Sequence, residues 1–127
     1  MAIPNSYNNK ETRAMASSET QLYDRVRLEM LSELEKFTRA MFKAQYKRSF
    51  IVNKHHKRIF EALQDVVDGK CNRLIINMPP RYGKKETAIK HFIRWCFALN
   101  PTCRFLHLSY SDTLVNDNSQ TIRQTMM

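Results

Sequence analysis

Leu74-Ile75-Ile76-Asn77-Met78-Pro79-Pro80-Arg81-Tyr82-Gly83-Lys84-Lys85-Glu86 is the stretch on which the fold of this chain turns. An apolar run ends in a proline-rich turn, and helical spacing begins at Gly83, which reads as a strand, a tight loop and a helix. At a helix start the backbone N–H groups have no intrahelical partner and the helix dipole adds partial positive charge, so the position receives anions. Gly83 lets the backbone approach a ligand without a side chain in the way, and Lys84 brings a compact cation to phosphate oxygens. Pro79, Pro80, Arg81, Tyr82, Gly83, Lys84 and Lys85 therefore read as a phosphate-binding loop.

Upstream, Val26, Met30, Leu34, Phe37, Met41 and Ala44 recur at three- and four-residue steps, the core stripe of one long helix or of two in sequence. His56, Ile59, Phe60, Leu63, Val66 and Val67 mark another helix, stopped by Gly69 as its C′ residue. Downstream, Ala88, Ile89, Phe92, Ile93, Trp95, Cys96 and Phe97 cover much of the circumference of a helix from about Gly83 to Leu99, ended by Asn100-Pro101. Arg104 to Ser109 reads as a second strand. Leu114, Val115, Asn118 and Ile122 define a last helix with Ser111 or Asp112 as N-cap. The order is helices followed by β-α-β-α, an α/β arrangement with strands at 74–78 and 104–109. Three regions are expected: a flexible tail over 1–18, a helical segment over 19–69 and an α/β segment over 70–127.

The loop departs from the pattern G-x-x-x-x-G-K-[ST] twice, with Met78 at the first glycine and Lys85 in place of Ser or Thr. That hydroxyl holds Mg²⁺ beside the phosphates, and an ammonium group there repels the metal. Thr87 lies two residues further on, about 200° around the helix axis, and does not replace it. Weak binding of an anion or nucleotide is expected, with negligible Mg²⁺-dependent hydrolysis.

Further motifs surround the loop: Phe37-Thr38-Arg39-Ala40-Met41-Phe42-Lys43, His55-His56-Lys57, Val66-Val67-Asp68-Gly69-Lys70, His91-Phe92-Ile93-Arg94-Trp95-Cys96 and Phe105-Leu106-His107-Leu108-Ser109-Tyr110-Ser111-Asp112. Together with Pro79-Pro80-Arg81-Tyr82-Gly83-Lys84 after its apolar run, the chain over roughly 34–125 resembles the start of a large terminase subunit, the DNA-packaging motor of tailed phages. The resemblance implies an N-terminal P-loop ATPase domain followed by a nuclease domain. This chain corresponds to the first part of that ATPase, two parallel strands with flanking helices behind a helical N-terminal segment. The resemblance also implies ATP with Mg²⁺ as cofactor, and double-stranded phage DNA, a small terminase subunit and a portal protein as partners, in the host cytoplasm. Arg81 resembles the loop arginine near the γ-phosphate, and His55 and His56 fall in the region beside the nucleotide base. Glu86 matches a position where the family often carries an acid, which makes Lys85 a substitution and not an insertion.

Much of that machinery has no counterpart in these residues. No apolar strand ending in paired acids follows Ser109, so the carboxylate of a Walker B segment is missing, as is a carboxylate cluster for a two-metal nuclease. Alone, the chain is expected to lack ATPase and nuclease activity. In the family, later strands separate the first two. Without them the chain could pair its strands directly, associate with a partner that supplies them, or fold poorly, as expected of a truncated terminase gene product or of a split gene with the remainder of the motor encoded separately.

At 127 residues, with 43% hydrophobic residues, the chain is long enough for one modest core. The formal charge of +9 favours polyanionic partners. Between residues 36 and 58, Lys36, Arg39, Lys43, Lys47, Arg48, Lys54, Lys57 and Arg58 occur with no acid among them. This run is either a solvated helix face or a DNA-phosphate surface, and the latter would be salt-sensitive and tolerant of sequence. Non-catalytic DNA binding or motor interaction through segment 36–58 is the alternative function. His55-His56 is not expected to bind metal, since adjacent helical residues point about 100° apart and no third ligand is near in sequence. Ser109-Tyr110-Ser111-Asp112 lacks Gly-x-Ser-x-Gly and a positioned His, so it reads as a strand-to-helix turn. Cys71, Cys96 and Cys103 show no metal spacing and are expected as reduced thiols. No signal peptide or membrane-spanning run is expected.

Overall fold

A computed structural model describes residues 9–126, with side chains from residue 17 onward. The first helix, α1, spans Asn9–Ser32 and so begins inside the expected tail; residues 1–8 of that tail lie outside the described residues. Helix α2 spans Leu34–Tyr46 and α3 Lys54–Val67, while α4 covers Phe92–Leu99 and α5 Asp112–Met126. Residues Glu86–His91 form a π-helical turn leading into α4, and Lys84 and Lys85 precede it as helix, so one rod runs from the loop to Leu99.

The expected α/β fold is overturned: among the described residues there is no strand and no sheet. Residues 74–78 and 104–109, read as strands from their apolar runs, are extended chain that is only partly covered. Ile76 and Met78 pack on the core, and the Phe105 ring meets Phe92 and Phe97 at 6.4 and 5.2 Å. On the opposite side Ile75 and Leu106 are each 85% exposed and Tyr110 is 96% exposed. What they lack is a neighbour. Leu74, Ile76, His107 and Ser109 line one cavity of about 350 Å³ together with Ala88 and Ile89. Strand hydrogen bonds require aligned backbones about 5 Å apart, and among the described residues no backbone hydrogen bond joins the two segments. An apolar run draws some side chains onto the core, and the ladder depends on a second backbone that this packing does not supply.

Local signals account for the helix boundaries. The upstream stripe belongs to two helices, because Glu33 is extended (φ −140°, ψ 135°) and starts α2 afresh. Lys47 ends α2 in the left-handed region at φ 56°, its N–H donating to the Lys43 carbonyl at 2.9 Å. After α3, Gly69 sits at φ 76°, the conformation a C′ glycine supplies without a Cβ penalty, and donates to the Val66 carbonyl. Asn100 closes α4, its side-chain oxygen accepting from the Thr102 N–H at 3.0 Å and the Thr102 hydroxyl at 2.7 Å.

The core gathers Leu34, Ile59, Phe60, Leu63, Trp95 and Cys96 from α2, α3 and α4. Trp95 is 1% exposed and donates its indole N–H to the Leu31 carbonyl at 3.0 Å, tying α4 to α1. Arg94, also buried, donates to Gln45 Oε1 at 3.2 Å and to the Thr121 carbonyl at 3.0 Å, bracing α4 against α2 and α5. Of the upstream stripe only Leu34 is fully buried; Val26 and Ala44 face solvent.

Candidate phosphate loop and adjoining pocket

The loop owes its shape to two left-handed residues, Arg81 at φ 70° and Gly83 at φ 78°. A non-glycine residue there is uncommon and strained by about 1 kcal/mol or more, so surrounding contacts must hold Arg81 in place. The main contact comes from α3. Asn53 and His56 form a capping box, with the Asn53 N–H donating to His56 Nδ1 at 3.1 Å, which turns the ring of His56 toward the loop. His56 Nε2 then lies 3.2 Å from the Tyr82 carbonyl. A Cβ on Gly83 would stand 3.1 Å from that nitrogen, so the site admits only glycine without a shift.

Helical bonding starts with the Thr87 N–H donating to the Gly83 carbonyl at 3.0 Å. The N–H groups of Lys84, Lys85 and Glu86 are thus the unpaired donors of the first turn, and no side chain caps the helical segment from Lys85. Beside them opens a pocket of about 410 Å³, whose walls include Phe42, Phe50, His55, Tyr82 and Glu86, with Arg48 and Arg81 also lining it. Its aromatic side is continuous: Phe42 to Phe50 at 5.1 Å, Phe50 to His56 at 5.0 Å, His55 to His56 at 3.9 Å and His55 to Tyr82 at 5.8 Å. An apolar aromatic cleft with cations and open N–H groups beside it suits a planar heterocycle that carries an anionic group.

The structure divides the expected phosphate and base residues. His55, His56, Arg81, Tyr82 and Gly83 line this pocket, whereas Lys84 and Lys85 line the cavity that Leu74, Ile76, His107 and Ser109 also line. Pro79 and Pro80 shape the turn and line neither. Glu86 was missed as a pocket residue by sequence reasoning. It accepts from the Tyr46 hydroxyl at 3.4 Å and is paired with Lys90, and only the α2 packing that brings Tyr46 to it reveals this place.

An anion fits the open first turn, but Mg²⁺ does not fit the loop. Thr87, the nearest hydroxyl downstream, is fully buried, and the residue after Lys84 carries an ammonium group. Among the described residues no group of three or more His, Cys, Asp or Glu side chains could hold a metal.

Two histidines have altered basicity. Burial lowers His56, the nearby His55 lowers it further, and the Tyr82 carbonyl opposes them. His91, on the π turn, is fully buried with no protein partner for either ring nitrogen, and burial, then Arg94, push it down to about 4. It is neutral at pH 7, so its 4.0 Å approach to Glu86 is not an ion pair. Burial also raises the Cys96 thiol to about 11, with Cys103 adding to the effect, and all three cysteines are free.

Every member of the basic set, Lys36, Arg39, Lys43, Lys47, Arg48, Lys54, Lys57 and Arg58, is exposed. Lys36 pairs with Glu33 at 3.2 Å and Arg39 with Glu35 at 2.9 Å, acids just upstream of or outside the acid-free run. Among the described residues the other six form no ion pair, and they occupy the end of α2, the connection to α3 and the first turns of α3. No helix among the described residues is long and apolar enough to cross a membrane. Comparison with family models, curated proteins and solved structures finds no match.

Proposed function

We propose that this chain is a nucleotide-binding N-terminal part of a large-terminase-type motor, without ATP turnover of its own. The observation that carries the reading is the loop itself: two left-handed residues present an open helix start beside an aromatic pocket with His55 and His56 on its wall. These are the positions where the sequence resemblance implies phosphate and base. The reading rests on this local geometry and on the linked motifs, not on a sheet. ATP is the implied ligand, double-stranded phage DNA, a small terminase subunit and a portal protein the implied partners, and the host cytoplasm the place of action. Residues 1–127 contain no counterpart of the motor's catalytic carboxylate.

Nucleotide binding and hydrolysis by the chain and its Lys85→Thr variant test this. The unaltered chain should bind ATP weakly and equally with Mg²⁺ or EDTA, with no phosphate release. Lys85→Thr should gain Mg²⁺-dependent affinity and still not hydrolyse. Turnover by the unaltered chain, or no nucleotide binding by either, would sink the proposal.

A second reading is favoured by the six exposed cations without ion pairs: a DNA-binding module built on segment 36–58. Duplex binding that weakens steeply with salt and survives Lys84→Ala, yet is lost on replacing Lys43, Lys47 and Lys54 with Ala, would support it.

A further inference from the structure

His56 joins three pieces of structure through a single ring. Its Nδ1 accepts the Asn53 N–H at 3.1 Å, and since a backbone N–H only donates, that nitrogen carries no proton. The neutral ring is therefore protonated at Nε2, which lies 3.2 Å from the Tyr82 carbonyl and 3.2 Å from His55 Nε2. A carbonyl only accepts, so the Nε2 proton of His56 faces it. His55 Nε2 must then be bare, with its own proton on Nδ1. One pair of tautomers satisfies all three contacts. A proton added to His56 opposes the Asn53 N–H at Nδ1, so the ring loses the contact that turns it toward the loop.

We infer that His56 is a positioning residue for the phosphate loop. Its neutral ring braces the Tyr82 carbonyl and so keeps Arg81 and Gly83 left-handed with the first-turn N–H groups open, while a proton on His56 releases the brace. The ligand in this inference rests on the nucleotide reading above; the brace itself does not. Gly83 belongs to the same device, because only a residue without Cβ leaves the ring its seat. The other charged or titratable groups facing the pair are Arg48 from the α2–α3 connection, Arg81 and Tyr82 from the loop, and Glu86 from the π turn. The two arginines disfavour further positive charge, and Glu86 is engaged by Lys90 and Tyr46. Release therefore belongs below the ordinary histidine range, in keeping with the lowered basicity of His56.

The test compares Mg²⁺-free ADP binding by the full chain and by His56→Gln. Glutamine at the third helical position still completes a capping box but is too differently shaped to brace Tyr82, so α3 keeps its start. The expected result is a melting temperature within about 3 °C of the parent and an ADP affinity about tenfold weaker near pH 7.5. The ratio of the two affinities should close toward one as the pH falls below the ordinary histidine range and the parent loses its brace; protonation of ADP cancels in that ratio. Equal affinities at every pH, or a ratio that does not change with pH, would overturn the inference. If the parent binds no ADP, the nucleotide reading fails by itself, and an NMR titration of the parent alone decides the brace. A Gly83 amide resonance that moves with the His56 ring nitrogens supports it, and one that stays still overturns it.

Discussion

Gly83 and His91 show how much single residues carry here. At φ 78°, with His56 Nε2 at 3.1 Å from where a Cβ would stand, Gly83→Ala forces both a left-handed alanine and a displaced ring. The expected cost is about 1–2 kcal/mol, with loss of anion binding, read by thermal melts and by nucleotide titration. His91 governs acid sensitivity. Its folded basicity is depressed to about 4 against an ordinary value of 6.5, so between those values the unfolded chain binds the extra proton. Stability is therefore full above about pH 6.5 and falls as pH drops toward 4, by about 3 kcal/mol on the linkage relation. His91→Leu should flatten that part of the pH–stability curve in urea unfolding. An unchanged slope would show that His91 already finds a proton acceptor when folded.

At the scale of elements, hydrophobic spacing located helices well but ranked their faces poorly. Trp95 and Leu34 are 1% and 2% exposed, whereas Val26, on the same upstream stripe as Leu34, is 43% exposed. Trp95→Ala should cost about 3–5 kcal/mol and Leu34→Ala about 2–5, while Val26→Ala should stay within about 0.5, all measured by chemical denaturation. The stop at Gly69 and the end at Asn100 were legible because each is a local event, a left-handed glycine and a side-chain oxygen closing its own turn. The π turn over Glu86–His91 was not. An extra residue in a helical turn leaves no periodic mark in so short a stretch, and it is held by packing among α2, α3 and α5.

For the whole molecule, the two unpaired segments set the liability. Ile75, Leu106, Leu108 and Tyr110 stand exposed along backbones that make no sheet, a surface prone to pairing between molecules. Leu106→Lys with Leu108→Lys should raise the concentration at which the chain stays monomeric in light scattering. Both side chains are already solvent-exposed, so unfolding free energy should change by less than about 0.5 kcal/mol. Aggregation unchanged by this pair would place the sticky surface elsewhere, for instance on Leu22, Tyr23 and Leu28 of α1.

The amino-acid sequence by itself determined the helices, most of their ends and the loop with its glycine, because each follows from local sterics or from the spacing of apolar side chains. Tertiary structure alone decided that residues 74–78 and 104–109 form no sheet, since a ladder needs two aligned backbones at hydrogen-bonding distance, and among the described residues no backbone hydrogen bond joins them. It also decided the site. Tyr46 and Glu86 meet across 40 residues and His56 and Tyr82 across 26, and no local spacing encodes such separations. The sequence could supply a phosphate loop and a histidine pair; only the docking of α3 against the loop made one the support of the other.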